Sequence, residues 1–114
     1  MRHPEFALQC QLAQVLQYAN PGVIWWHTPN EGVRSKGVGG RLKAAGMKAG
    51  VSDFLFVLPP AGRLAALEIK AHGGKCTELQ TAFLNQVVSA GGLAAWCNNF
   101  DEAVAILRAW QVIR

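Results

Sequence analysis

Leu8, Leu12, Val15, Leu16 and Ala19 recur at helical spacing, and Pro4 suits a first helical position. Residues 4–19 are therefore predicted to form an amphipathic helix, ended by Asn20-Pro21-Gly22. Residues 23–28 are β-branched and aromatic and predict a strand. Residues 29–50 lose that order: glycines and basic residues crowd together without periodicity. They predict mostly mobile loop, with room for a short helix around 41–45. Residues 53–58 and 63–70 are then apolar almost continuously, the pattern of interior strands. Pro59-Pro60-Ala61-Gly62 between them has the composition of a turn. Thr77 with Gln80 forms a capping box opening a helix to about residue 90, with Leu79, Phe83, Leu84, Val87 and Val88 as its buried face. Gly91-Gly92 stops it, and residues 93–97 make a short apolar strand. Asn99 with Glu102 caps a last helix striped by Ala103, Ile106, Leu107, Trp110 and Ile113.

The predicted order is α-β-β-β-α-β-α. Residues 53–70 leave room only for an antiparallel hairpin, whereas the strand–helix–strand step over 63–97 is long enough for a parallel crossover. The fold class that follows is α/β, a mixed four-stranded sheet flanked by helices. A length of 114 residues fits one domain, 1–114, and 51% hydrophobic residues suffice for a core.

Charge adds location more than magnitude. The net charge of +4 is mild, but Arg34, Lys36, Arg41, Lys43 and Lys48 fall within fifteen residues that hold no acid. A basic segment of this kind suits phosphate contacts, and it equally suits a solvated face. Cys10, Cys76 and Cys97 form no CxxC pair, and His3, His27 and His72 are as scattered, so neither disulfides nor a zinc site is expected. The first residues carry no signal-peptide core, and no apolar run is long enough to span a membrane. The expectation is a soluble cytoplasmic protein of a bacterial or phage-infected host cell.

The chemistry concentrates at Asp53, Glu68 and Lys70. The midpoint of Asp53 and Glu68 falls between Pro60 and Ala61, so a symmetric hairpin sets the two carboxylates opposite each other, Cβ atoms roughly 5 Å apart. Lys70, two residues after Glu68, shares its face. Opposed like charges are unfavourable unless a cation sits between them, which Lys70 and a divalent metal would both supply. Read blandly, these are edge-strand charges of little energetic consequence. The apolar strands around them argue for a site.

Further residues make the pattern specific. Asn30-Glu31-Gly32, a basic loop, Ala49-Gly50-Val51-Ser52-Asp53-Phe54-Leu55, Leu67-Glu68-Ile69-Lys70, Thr77-Glu78-Leu79-Gln80 and Ala90-Gly91-Gly92 together resemble the VRR-NUC domain. That family of replication and repair nucleases belongs to the PD-(D/E)xK, restriction-endonuclease-like superfamily, and the resemblance is to its stand-alone phage-type form. Ser52 departs from the family's usual proline before the aspartate. The resemblance implies a restriction-endonuclease-like core and a Mg²⁺- or Mn²⁺-dependent endonuclease acting on branched, flap or Holliday-junction DNA. A chain this small has little surface beyond its site to read a junction, so a symmetric homodimer offering two sites is expected. It implies Asp53 and Glu68 as metal ligands with the Ile69 carbonyl, Lys70 as the catalytic lysine, and Gln80 and Glu5 as further site residues. Gln80 is already explained by its cap, and the two roles are expected to require a change of partner. Glu5 is equally a first-turn acid favoured by the helix dipole. Arg34, Lys36, Arg41, Lys43, Lys48 and Lys75 are the candidate nucleic-acid contacts. Glu31 is a further ligand candidate and His72 a proton-donor candidate, each with an ordinary loop role as its rival. A non-catalytic DNA-binding module of the same fold and an RNA-cleaving relative remain as alternatives.

Overall fold

The computed structural model describes residues 4–29 and 36–114, with side chains from residue 39 in the second stretch. Its elements are α1 (Pro4–Leu16), β1 (Ile24–His27), α2 (Lys36–Ala44), β2 (Phe54–Leu58), β3 (Arg63–Ile69), α3 (Glu78–Ser89), β4 (Leu93–Cys97) and α4 (Phe100–Ala109). The four strands lie in chain order in one sheet. β1–β2 and β2–β3 are antiparallel, and β3–β4 is parallel across α3. This is the mixed sheet that the strand and crossover lengths predict. None of the described helices is long and apolar enough to cross a membrane.

Alternation along the strands divides the interior in two. Phe54, Phe56, Ala65, Leu67 and Ile69 face α1 and α4, meeting Leu8, Leu12, Leu16, Ala103 and Leu107. Leu55 and Ala66 face the other way and are covered by Leu84 and Val87 of α3. β2 and β3 are buried on both faces, so their apolar residues run almost without a break.

Several elements differ from the pattern-based expectation. α4 ends at Ala109, with Trp110 as its C-cap and Ile113 beyond it, and Leu79 and Val88 of α3 are exposed, not buried. α1 stops at Leu16 because the next turn tightens: Tyr18 N–H bonds Val15 O and Ala19 N–H bonds Leu16 O. Asn20 N–H then bonds Val112 O at 2.7 Å, turning the chain toward β1. The larger correction is α2, a helix of nine residues where mostly loop is expected. Its three glycines carry no side chain to mark a face, so it lacks a periodic signal, and its backbone ladder forms regardless. The element order is thus α-β-α-β-β-α-β-α.

Candidate functional site

The hairpin register fixes the centre of the site. Phe54 pairs with Leu67 and Leu58 with Arg63, so Asp53 and Glu68 are the next opposed pair. The turn that sets this register holds a cis Pro59–Pro60 bond and Gly62 at φ 77°, a conformation that favours glycine. Both carboxylates lie on the sheet face that α3 covers. Asp53 is anchored by accepting the Ile69 N–H at 2.8 Å, in place of a backbone carbonyl.

Glu68 is 2% exposed. Its Oε2 accepts from Gln80 Nε2 at 3.3 Å and lies 3.9 Å from Lys70 Nζ, whose side chain is 11% exposed. Its Oε1 is buried with no hydrogen-bond partner among the described residues. Burial, first of all, raises the Glu68 pKa to about 9, followed by the neighbouring Asp53 carboxylate, with Glu5 adding to it and Lys70 opposing it. Glu5, in the first turn of α1, completes the cluster. Glu5, Asp53 and Glu68 each offer an oxygen within 4.8 Å of the others.

Gln80 needs no change of partner. Its Oε1 accepts the Thr77 N–H at 2.9 Å, closing the capping box, while Nε2 of the same carboxamide reaches Glu68. The two ends of one amide serve the helix cap and the site simultaneously. Gly50 allows α3 to come this close. Its φ is +85°, and a Cβ there would stand 2.7 Å from the backbone of Leu79, beside Gln80. Gly50→Ala is expected to cost about 2 kcal/mol, lowering Tm by roughly 8 °C in thermal unfolding. An unchanged Tm would show that the approach is not tight.

The basic residues divide. Arg41, Lys43 and Lys48 are exposed, as is Lys75. Lys43, Lys48, Leu42, Met47, Gly50 and Gln80 line a hollow of about 410 Å³, so Gln80 connects this basic hollow to the carboxylates. A larger hollow of about 840 Å³ between α1 and α4 has no acidic side chain in its lining. Glu31 and Arg34 lie outside the described residues, with Asn30 and Gly32, as does the side chain of Lys36. His72 is exposed on the loop after β3. Cys10, Cys76 and Cys97 are free thiols.

Two neighbours of the carboxylates carry no sequence signal. Thr28 donates its N–H to Asp53 O at 2.7 Å, continuing the β1–β2 ladder, and its buried hydroxyl has no partner among the described residues. Only the register of β1 against β2 reveals it, because no tight turn joins those strands. Ser52, fully buried, also leaves its hydroxyl without a partner among the described residues. The family's proline would leave no hydroxyl there to satisfy.

A mixed four-stranded sheet with helices on both faces, its central hairpin ending in opposed carboxylates and a lysine, defines a restriction-endonuclease-like α/β core. The chain belongs to the VRR-NUC domain family, whose model matches residues 8–101. A solved structure described as a VRR_NUC domain protein is similar, with a TM-score of 0.78 at 15% identity, covering 99% of this chain and 93% of that one. At that identity the likeness is one of fold. No curated protein matches the chain. Family membership gives it a nuclease-like fold and a DNA-related function. Glu5 lies before the matched span, so its place rests on the cluster alone.

Proposed function

We propose that this chain is a Mg²⁺- or Mn²⁺-dependent endonuclease that hydrolyses phosphodiester bonds in branched, flap or junction-containing DNA. The observation that carries this reading is the convergence of Glu5, Asp53 and Glu68 within 4.8 Å, with the Oε1 of Glu68, which has no partner among the described residues, in it. Carboxylates so placed repel one another and cost stability. Burial first, and the neighbouring Asp53 and Glu5 carboxylates after it, raise the Glu68 pKa, and a hard divalent cation with oxygen ligands offsets that cost. The donor set therefore fits a metal.

Asp53 and Glu68 would hold the cation with Glu5 beside them. The Ile69 carbonyl is a further donor, since it leaves β3 on the same edge as the N–H that Asp53 accepts. A cation held there would supply Lewis acidity to the scissile phosphate and to a neighbouring water. Lys70 orients that water and stabilises charge developing on the phosphate. Gln80, through Nε2, holds Glu68 in its rotamer. Arg41, Lys43, Lys48 and Lys75, with Arg34 and Lys36, position the sugar-phosphate backbone. A homodimer completes the reading, presenting two such sites to a branched substrate.

Labelled duplex, flap, four-way-junction and RNA substrates, incubated with Mg²⁺, Mn²⁺ or EDTA, test it. Cutting of branched DNA in either metal and none in EDTA is expected. Metal-independent cutting would overturn the mechanism, and binding without cutting in every metal would leave a DNA-binding module. Preferential cutting of RNA would move the substrate class. Sedimentation as a monomer, free and on DNA, would remove the dimer.

A further inference from the structure

The sheet face that carries Glu68 is only partly roofed. α3 packs over β3 and β4, whereas Ile24 and Trp26 of β1 are 59% and 42% exposed. Trp25 packs on Phe54 in the opposite layer, so Trp26 and Thr28 face the carboxylate side. Trp26 pairs with Leu55, and Thr28 lies opposite Asp53, one step beyond the pair His27 and Phe54. The Thr28 side chain is therefore a cross-strand neighbour of the Asp53 carboxylate. The Trp26 ring stands two residues further along, about 7 Å away.

Each side chain is left with an unmet requirement. A buried hydroxyl without a partner is destabilising and rare, and that of Thr28 has none among the described residues. The Trp26 indole, 42% exposed on the open edge strand, presents an aromatic surface that no described residue on this face covers fully. One ligand meets both: a nucleotide whose phosphate oxygen accepts from the hydroxyl while its base lies on the indole. We infer that Thr28 and Trp26 form a subsite for an unpaired nucleotide flanking the scissile phosphate.

This rests on the nuclease reading above and names its substrate class. Every base has a π-face, so stacking on Trp26 does not depend on sequence. A base inside an intact duplex is already stacked on its neighbours. The ledge therefore selects a flap, gap or branch point, and Thr28 fixes the phosphate beside it.

Steady-state cleavage of a flap and of unbranched duplex in Mg²⁺ or Mn²⁺ tests the subsite with wild-type protein, Trp26→Ala, Trp26→Phe and Thr28→Val. Trp26→Ala is expected to raise KM for the flap about tenfold while KM for duplex and both kcat values change less than about twofold. Trp26→Phe is expected to restore most of the loss, as a smaller aromatic platform should. Thr28→Val, nearly isosteric, is expected to lower kcat about tenfold on both substrates. Should Trp26→Ala melt early, Trp26→Leu, which keeps apolar bulk without an aromatic face, takes its place, and a flap KM left unraised in the non-aromatic variant would overturn the base platform. A wild-type kcat in Thr28→Val would overturn the role of the hydroxyl. If wild-type protein cuts no substrate in either metal, the nuclease reading falls and the subsite with it. That result appears in the wild-type arm alone.

Discussion

Replacing Lys70 with alanine is expected to lower the metal-dependent cleavage rate about a thousandfold, with affinity for DNA altered less than about threefold. Lys70 Nζ lies 3.9 Å from Glu68 Oε2 and its side chain is 11% exposed, so its charge acts at the carboxylates and not in open solvent. In the mechanism proposed above, an ammonium there stabilises charge that grows on the phosphate as the bond to oxygen forms. It contributes little to holding the remote backbone, which is why rate and affinity should separate. Lys70→Arg should rescue poorly, because a planar guanidinium fork cannot occupy the site of a compact ammonium. Single-turnover rates, with binding measured in parallel, decide the matter. A Lys70→Ala enzyme that cuts at the wild-type rate would remove the lysine from the mechanism.

Glu68→Gln is expected to produce the opposite signs for stability and activity. The folded protein holds the Glu68 proton up to about pH 9, whereas an ordinary glutamate releases it near 4.5. Between those values the folded state carries the extra proton, so metal-free stability declines as pH rises. Glutamine fills the same volume and keeps an acceptor for Gln80 without a charge to bury. At pH 8 in EDTA the variant should be more stable than wild type by about 2 kcal/mol, or roughly 8 °C in Tm. Its Tm should also lose most of the wild-type slope between pH 5 and pH 9.

Divalent metal reverses the ranking. Wild-type protein should gain about 2.7 kcal/mol at a cation concentration a hundredfold above Kd, and that gain should weaken toward acid pH as protons compete for the ligands. Glu68→Gln should gain little and should not cleave. Thermal unfolding across this pH range, with and without Mg²⁺ or Mn²⁺, measures each part. Equal pH slopes in the two proteins would show that Glu68 is not the buried proton carrier.

Much of this architecture is written locally along the chain. The stripe Leu8, Leu12, Leu16, the Thr77–Gln80 capping box and the Asn99 cap depend on near neighbours, and each sits where local rules put it. The hairpin is also local, because its turn fixes the register, and the register sets Asp53 opposite Glu68. Lys70 follows from strand alternation. Where neighbouring residues carry no pattern, packing decides. α2 lacks a face because of its glycines, and Gln80 shows two partners only once α3 is packed against β3.

The sequence by itself determined the sheet's hairpin, its crossover and the Asp53–Glu68–Lys70 set, since all of these follow from short-range periodicity and one turn. Only the tertiary structure decided what converges on that set. Glu5 arrives from α1, Gln80 from α3 and Thr28 from β1, each through contacts between segments with no turn to fix their register. Such contacts are chosen by burial of the layers as a whole, through Leu8 and Leu12 on one side and Leu84 and Val87 on the other. The same burial sets the electrostatics of the cluster: it removes water from Glu68, raises its pKa and leaves Oε1 without a donor among the described residues. No spacing of residues along the chain encodes that desolvation. It exists only once the layers have closed.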